Sequence, residues 1–159
     1  MEEIVLLHGF AGTGHAWDPV REQLDAARYR SLAPDLRGHG RGLRTSEPFT
    51  LAACAQDAVR VAETLGCGPV LATGYSLGRY DARPWADTID LPAAVVVTAH
   101  DRSVPPRKQR ELADALGAPA FEVPADHMAV ATHPGQFTAA LLRALASTHQ
   151  RVEREPQAA

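Results

Sequence analysis

At 159 residues the chain is sized for one domain and is long enough to bury most of the surface its unfolded form would expose. Apolar residues at 45% and charged residues at 22% are ordinary for a soluble globular protein, and a net charge of −3 excludes an overall pull toward nucleic acid or anionic lipid. Two cysteines, Cys54 and Cys67, exclude a disulfide framework and a paired metal spacing; a buried small residue and a loop residue are the expected roles.

The N-terminus reads Met1-Glu2-Glu3 and then only four apolar residues, Ile4 to Leu7. That is neither a signal peptide nor a membrane span, so a reduced, cytoplasmic protein is expected. A run apolar on every residue suits a strand covered on both faces, as in a parallel sheet. Gly9, Gly12 and Gly14 then make a loop. Trp17, Val20 and Leu24 recur at helical spacing and predict a helix over 17–27. Tyr29 to Pro34 reads as a second strand ending at Asp35, followed by the turn Arg37-Gly38-His39-Gly40.

Thr50 is placed to cap a helix with Leu51, Ala55, Val59, Ala62 and Leu65 on its apolar face and Gly66 at its end. Pro69 to Thr73 is the third predicted strand. Leu77 to Pro92 has no clear period and contains Pro84. Ala93 to Thr98 is the fourth strand, with Asp101 in the turn after it. Pro105-Pro106 opens a helix carrying Leu112 and Leu116. Phe121 to Pro124 is a fifth, weaker strand, with Asp126-His127 just beyond. Pro134 opens a last helix with Phe137, Leu141 and Leu145 facing inward. Strands alternating with helices predict an α/β protein: a three-layer parallel sheet of about five strands with helices on both faces. Residues 1–149 are expected to form one domain, and 150–159 a polar, frayed tail.

Two ligand classes are poor matches. A phosphate-binding loop between Gly9 and Ala16 would need Lys and then Ser or Thr after its second glycine, where this chain has His15 and Ala16. The third glycine of a dinucleotide pattern would fall at Trp17. The seven histidines form no metal-ligand spacing; His15, His100, His133 and His149 read as surface or loop residues, and His39 as a residue that fixes its own turn. No cofactor and no metal are expected.

The stretch "GYSLG", Gly74 to Gly78, matches G-x-S-x-G directly after a strand. A sharp turn there pushes the serine oxygen outward. A neutral serine is a weak nucleophile and needs a base, usually a histidine held in one tautomer by a carboxylate. The chain supplies Ser76, Asp101 and His127 in the order this architecture requires. Each partner also suits a plain structural role. Asp101 can begin the turn before Pro105, Asp126 can cap its loop, and His127 can pack at a sheet edge. It is the ordered set that favours a triad.

Five stretches together, "VLLHGFAGTGHAW", "LAPDLRGHG", "VLATGYSLG", "AVVVTAHDRSVPP" and "VPADHMAV", resemble the α/β-hydrolase superfamily over nearly the whole chain. The "GHG" turn and "HGF" loop are most similar to small esterases and to the menaquinone-pathway synthase branch. The resemblance implies oxyanion-hole amides at Phe10 and Leu77, with Ser76 as nucleophile, His127 as base and Asp101 as its orienting carboxylate. It implies a small ester or thioester as substrate. Three departures qualify it. The chain lacks the strand pair that usually precedes the first strand, and Arg79 stands where a small residue is usual. Ser76 and Asp101 are only 25 positions apart, where relatives carry a helix, a strand and a lid. Closing a sheet over a lost strand moves its neighbours by about 4.8 Å, more than the roughly 2.6–3.2 Å window for proton transfer allows. A non-catalytic remnant or binding module, or a lyase of the synthase type, therefore stands beside the hydrolase expectation. An exposed sheet edge left by the shortening would favour a homo-oligomer.

Overall fold

The structure, a computed structural model, describes residues 2–9, 12–47, 49–64, 71–74 and 91–154. The chain divides into two compact units, Met1–Leu77 and Gly78–Ala159.

In the first unit, strand β1 (Glu2–Leu7) lies between β2 (Tyr29–Leu32) and β3 (Leu71–Gly74), and both pairings are parallel. Ile4, Val5 and Leu6 are consecutive and all buried, at 0%, 2% and 0% exposure. Side chains alternate across a strand, so burial of three in a row means that both faces of β1 are covered. This is the all-apolar strand that the sequence predicts. Parallel neighbours need crossovers, and two helices provide them. Helix α1 (Asp18–Ala26) follows a single 3₁₀ turn (Gly14–Trp17) and packs on β2. Helix α2 (Leu51–Thr64) packs on β1.

Trp17, Val20 and Leu24 are all buried, as their spacing predicts. Each apolar side chain removed fully from water contributes roughly 1.5–3 kcal/mol. Thr50 caps α2: its Oγ1 accepts the Ala53 N–H at 3.1 Å. The buried face of α2 is in part the expected one. Ala62 is buried as expected, but Ala55 and Val59 are exposed and Cys54 and Ala58 face inward, Ala58 and Ala62 against Val5; the side chains of Leu51 and Leu65 lie outside the described residues. A polar anchor accompanies this facing. Asp57 takes a two-pronged ion pair from the buried Arg37, with Nε–Oδ2 at 2.7 Å and Nη2–Oδ1 at 2.9 Å, and Glu47 accepts from Arg37 Nη1 at 3.0 Å. That pairing ties α2 to the loop after β2 through Asp57, on the side of the helix that carries Cys54 and Ala58.

In the second unit, β4 (Val95–Thr98) pairs in parallel with β5 (Ala120–Val123). Helix α3 (Pro106–Ala115) connects them and packs on β4. A short helix α4 (Ala129–Thr132), which no periodicity announced, precedes α5 (Pro134–Arg154). Phe137, Leu141 and Leu145 are buried on α5, as expected, and this helix packs on both strands. It continues past Gln150 to Arg154, so the expected frayed tail is helical over those residues. Among the described residues the parallel strands form a three-stranded sheet and a separate two-stranded one, where the sequence predicts a single sheet of about five strands. No described helix is long and apolar enough to cross a membrane.

Candidate active site

Asp101 and His127 meet in the second unit. Strand β4 ends at Thr98, and the next turn is stitched to the end of β5. The Ala99 N–H donates to Val123 O at 2.9 Å, and the His100 N–H to Ala125 O at 3.0 Å. Ala125 lies two residues before His127. The backbone therefore brings together side chains 26 positions apart. Asp126 holds the second half of this junction, its Oδ1 accepting the Met128 N–H at 2.9 Å. The structural role weighed for Asp126 is the one it performs.

His127 Nδ1 lies 2.8 Å from Asp101 Oδ2. An ionised carboxylate only accepts, so Nδ1 carries the proton and donates it. Nε2 is then the ring nitrogen that can take up a proton. The Asp101 side chain is 4% exposed and that of His127 27%. Asp101 Oδ1 also accepts the N–H groups of Ser103 at 2.8 Å and Val104 at 2.9 Å, and Oδ2 accepts the Thr98 hydroxyl at 3.0 Å. Burial pushes this carboxyl up. The N–H of Val104, the His127 ring, the N–H of Ser103 and the Thr98 hydroxyl outweigh burial and hold it below its ordinary value. Asp101 is thus a buried anion with every oxygen engaged.

The first unit contains a different constellation. His8 is 1% exposed. Its Nε2 accepts the Leu36 N–H at 2.9 Å, which fixes the tautomer, and Nδ1 donates to Gly9 O at 2.8 Å. Asp35 Oδ1 accepts the Gly14 N–H and Oδ2 the Arg41 N–H, both at 2.7 Å. These two N–H groups, that of Arg41 first, hold the Asp35 carboxyl below its usual value. The loops after β1 and β2 are thereby tied together. The tie is close enough to demand glycine. A Cβ on Gly14 would sit 2.0 Å from Ala33 O, and one on Gly40 2.3 Å from Asp35 Oδ2. His39 donates from Nδ1 to Arg37 O at 3.1 Å, so it does fix its own turn.

Ser76, Phe10 and Leu77 lie outside the described residues, as do Arg79 and Pro84. The structure thus brings together two of the expected triad members, Asp101 and His127. Among the described residues, no group of three or more His, Cys, Asp or Glu side chains is placed to hold a metal ion. Sequence reasoning missed Thr98 and Gln109, which hold Asp101, because single polar residues on a strand end and a helix leave no periodic signal.

Residues 4–78 match the alpha/beta hydrolase family. The chain is 30% identical over 141 residues to a non-heme chloroperoxidase of Burkholderia pyrrocinia, covering 86% of this chain and 49% of that protein. It is 33% identical over 97 residues to the magnesium-chelatase 30 kDa subunit of Rhodobacter capsulatus, covering 60% of this chain and 34% of that one. The chain therefore spans half or less of the length of these curated relatives. Among solved structures, an enol-lactonase from Burkholderia xenovorans LB400 superposes with a TM-score of 0.79 at 19% identity, covering 92% of each chain. At that identity the likeness is one of fold.

Proposed function

We propose that this chain, which belongs to the α/β-hydrolase superfamily, is a serine hydrolase that cleaves a small ester or thioester. The observation that supports this most is the 2.8 Å contact between His127 Nδ1 and the buried Asp101, which also accepts from Thr98, Ser103, Val104 and Gln109. In this reading Ser76 attacks the substrate carbonyl, and His127 Nε2 takes the serine proton. Asp101 holds the ring in the required tautomer and stabilises the imidazolium that forms. The amides of Phe10 and Leu77 receive the oxyanion; one such donor is typically worth about 3–4 kcal/mol of barrier lowering. His127 then returns the proton to the leaving alcohol or thiol, and a water, activated in the same way, releases the acyl group. A small acyl compound is the proposed partner, with no cofactor in the reaction.

Hydrolysis of short-chain p-nitrophenyl esters tests the proposal. Turnover that disappears in Ser76→Ala supports it; turnover equal in parent and variant removes it. The 30% identity to the chloroperoxidase over 141 residues favours a second reading, in which the same site uses a peroxide. A peroxide-dependent product from the same esters would distinguish the two.

A further inference from the structure

The hydrogen bonds around Asp101 have a direction that can be derived, and it assigns a task to two residues outside the proposed triad. Gln109 on α3 meets two backbone groups that cannot exchange roles. The Thr98 N–H only donates, so the atom 2.9 Å from it is Gln109 Oε1. The Val104 carbonyl only accepts, so the atom 2.7 Å from it is Nε2. With the amide oriented in this way, Nε2 also faces Thr98 Oγ1 at 3.0 Å and donates to it. The hydroxyl has one hydrogen of its own. Two acceptors compete for it: Asp101 Oδ2 at 3.0 Å and Gln109 Oε1 at 3.3 Å. The charged and nearer oxygen wins.

Asp101 is therefore held at both ends. Oδ1 is pinned by the Ser103 and Val104 N–H groups, and Oδ2 by the Thr98 hydroxyl on the same oxygen that receives His127. Without the hydroxyl, Oδ2 keeps only the long 3.4 Å hydrogen bond from Gln109 Nε2 beside that of His127, and the carboxylate is able to pivot about its Oδ1 anchor, carrying Oδ2 away from the ring. Gln109 contributes three times, by aiming the hydroxyl, by tying Val104, one of the two Oδ1 donors, and by a long 3.4 Å hydrogen bond of its own from Nε2 to Oδ2. Thr98 is 6% exposed, so water does not readily replace its hydroxyl.

We propose that Thr98, with its hydroxyl aimed by Gln109, is a positioning residue that locks the Asp101 carboxylate in the orientation that engages His127. The kinetic consequence rests on the hydrolase reading above; the structural one does not. Two readouts are measured on the full chain: ester turnover, and the far-downfield proton resonance of His127 Nδ1, assigned by its loss in His127→Ala. In Thr98→Val, kcat is expected to fall roughly 10- to 100-fold, the weight of a hydrogen bond to a charged group, with KM within about twofold. The resonance moves or broadens. Thr98→Ser restores both, which a residue acting through packing alone would not do. Parent values of both readouts in Thr98→Val would overturn the proposal. If that variant does not fold, Gln109→Leu takes its place: freed of its aim, the hydroxyl lets the resonance move, and an unmoved resonance overturns the proposal. A parent protein that cleaves no ester, yet whose resonance moves in Thr98→Val, would refute the hydrolase reading and support the clamp.

Discussion

Each unit places a histidine and an aspartate just beyond the ends of parallel strands, and the two sets do different work. His8 has both ring nitrogens bound to backbone and is 1% exposed. Asp35 likewise accepts from two backbone N–H groups. His127 is bound to a carboxylate, and its side chain is 27% exposed. A histidine that spends both nitrogens on the main chain fixes loops. One that gives Nδ1 to a buried anion has its other nitrogen poised for proton transfer. Residue type and strand-end position are the same in both units; partner and exposure are what differ, and in the proposed reading they separate architecture from chemistry.

The sharpest way to break this comparison is to exchange the expected effects. Asp101→Asn should lower kcat by about 10³- to 10⁴-fold, because an amide stabilises neither the tautomer nor the imidazolium. Thermal unfolding should change far less than turnover does. A loss below tenfold would place Asp101 among the structural aspartates beside Asp35.

His8→Ala should do the reverse. It leaves the Leu36 N–H and the Gly9 carbonyl without their partner and opens a cavity. A stability loss of about 2–4 kcal/mol is expected from denaturant unfolding. Under conditions where the variant stays folded, the midpoint of the pH–rate profile should not move. A shifted midpoint would give His8 a share in the chemistry.

The aspartates also set an acid limit. Asp35, Asp57 and Asp101 are all held below their ordinary value of 3.8 in the folded chain. A depressed folded-state value contributes stability that is fully present above the unfolded value. It is lost as pH falls through the folded one. Stability should therefore be insensitive to these groups near neutrality and decline below about pH 4. Asp35→Asn should flatten part of that decline without changing the pH dependence of turnover. An equally steep decline in the variant would mean that the Gly14 and Arg41 amides do not hold Asp35 as an anion.

The smallest effect concerns a turn residue that belongs to neither set. Arg28 ends α1 with φ +66°, in the left-handed region, which costs a non-glycine residue roughly 1 kcal/mol or more. Arg28→Gly should be neutral to stabilising by about 0.5–1 kcal/mol in denaturant unfolding, with turnover unchanged. Destabilisation would show that the arginine side chain contributes more than its backbone strain removes.

Much of this was legible in the residues. The all-apolar Ile4 to Leu7 run, the Trp17–Val20–Leu24 stripe and the Pro–Gly punctuation around α3 determine local structure through short-range rules. Those elements formed where expected. Asp101 and His127 were legible because each follows a strand directly, and parallel strands deliver their ends to a common edge. The face of α2 was legible only in part: Ala62 is buried as expected, while the anchoring of Asp57 by Arg37, 20 positions away, leaves no trace in an apolar count. The Thr98–Gln109 network escaped for the same reason: a polar contact 11 positions long has no period to detect. The expectation for Ser76 and the crossover after it falls on residues outside the described ones.

One measurement addresses the central claim, that a serine hydroxyl works with the His127–Asp101 pair. The folded protein is treated with a fluorophosphonate probe and digested, and the modified residue is identified by mass spectrometry. The account predicts a single adduct on Ser76 that is lost in His127→Ala and strongly slowed in Asp101→Asn. Folded protein that stays unmodified, or labelling of Ser76 that is indifferent to His127, would contradict it.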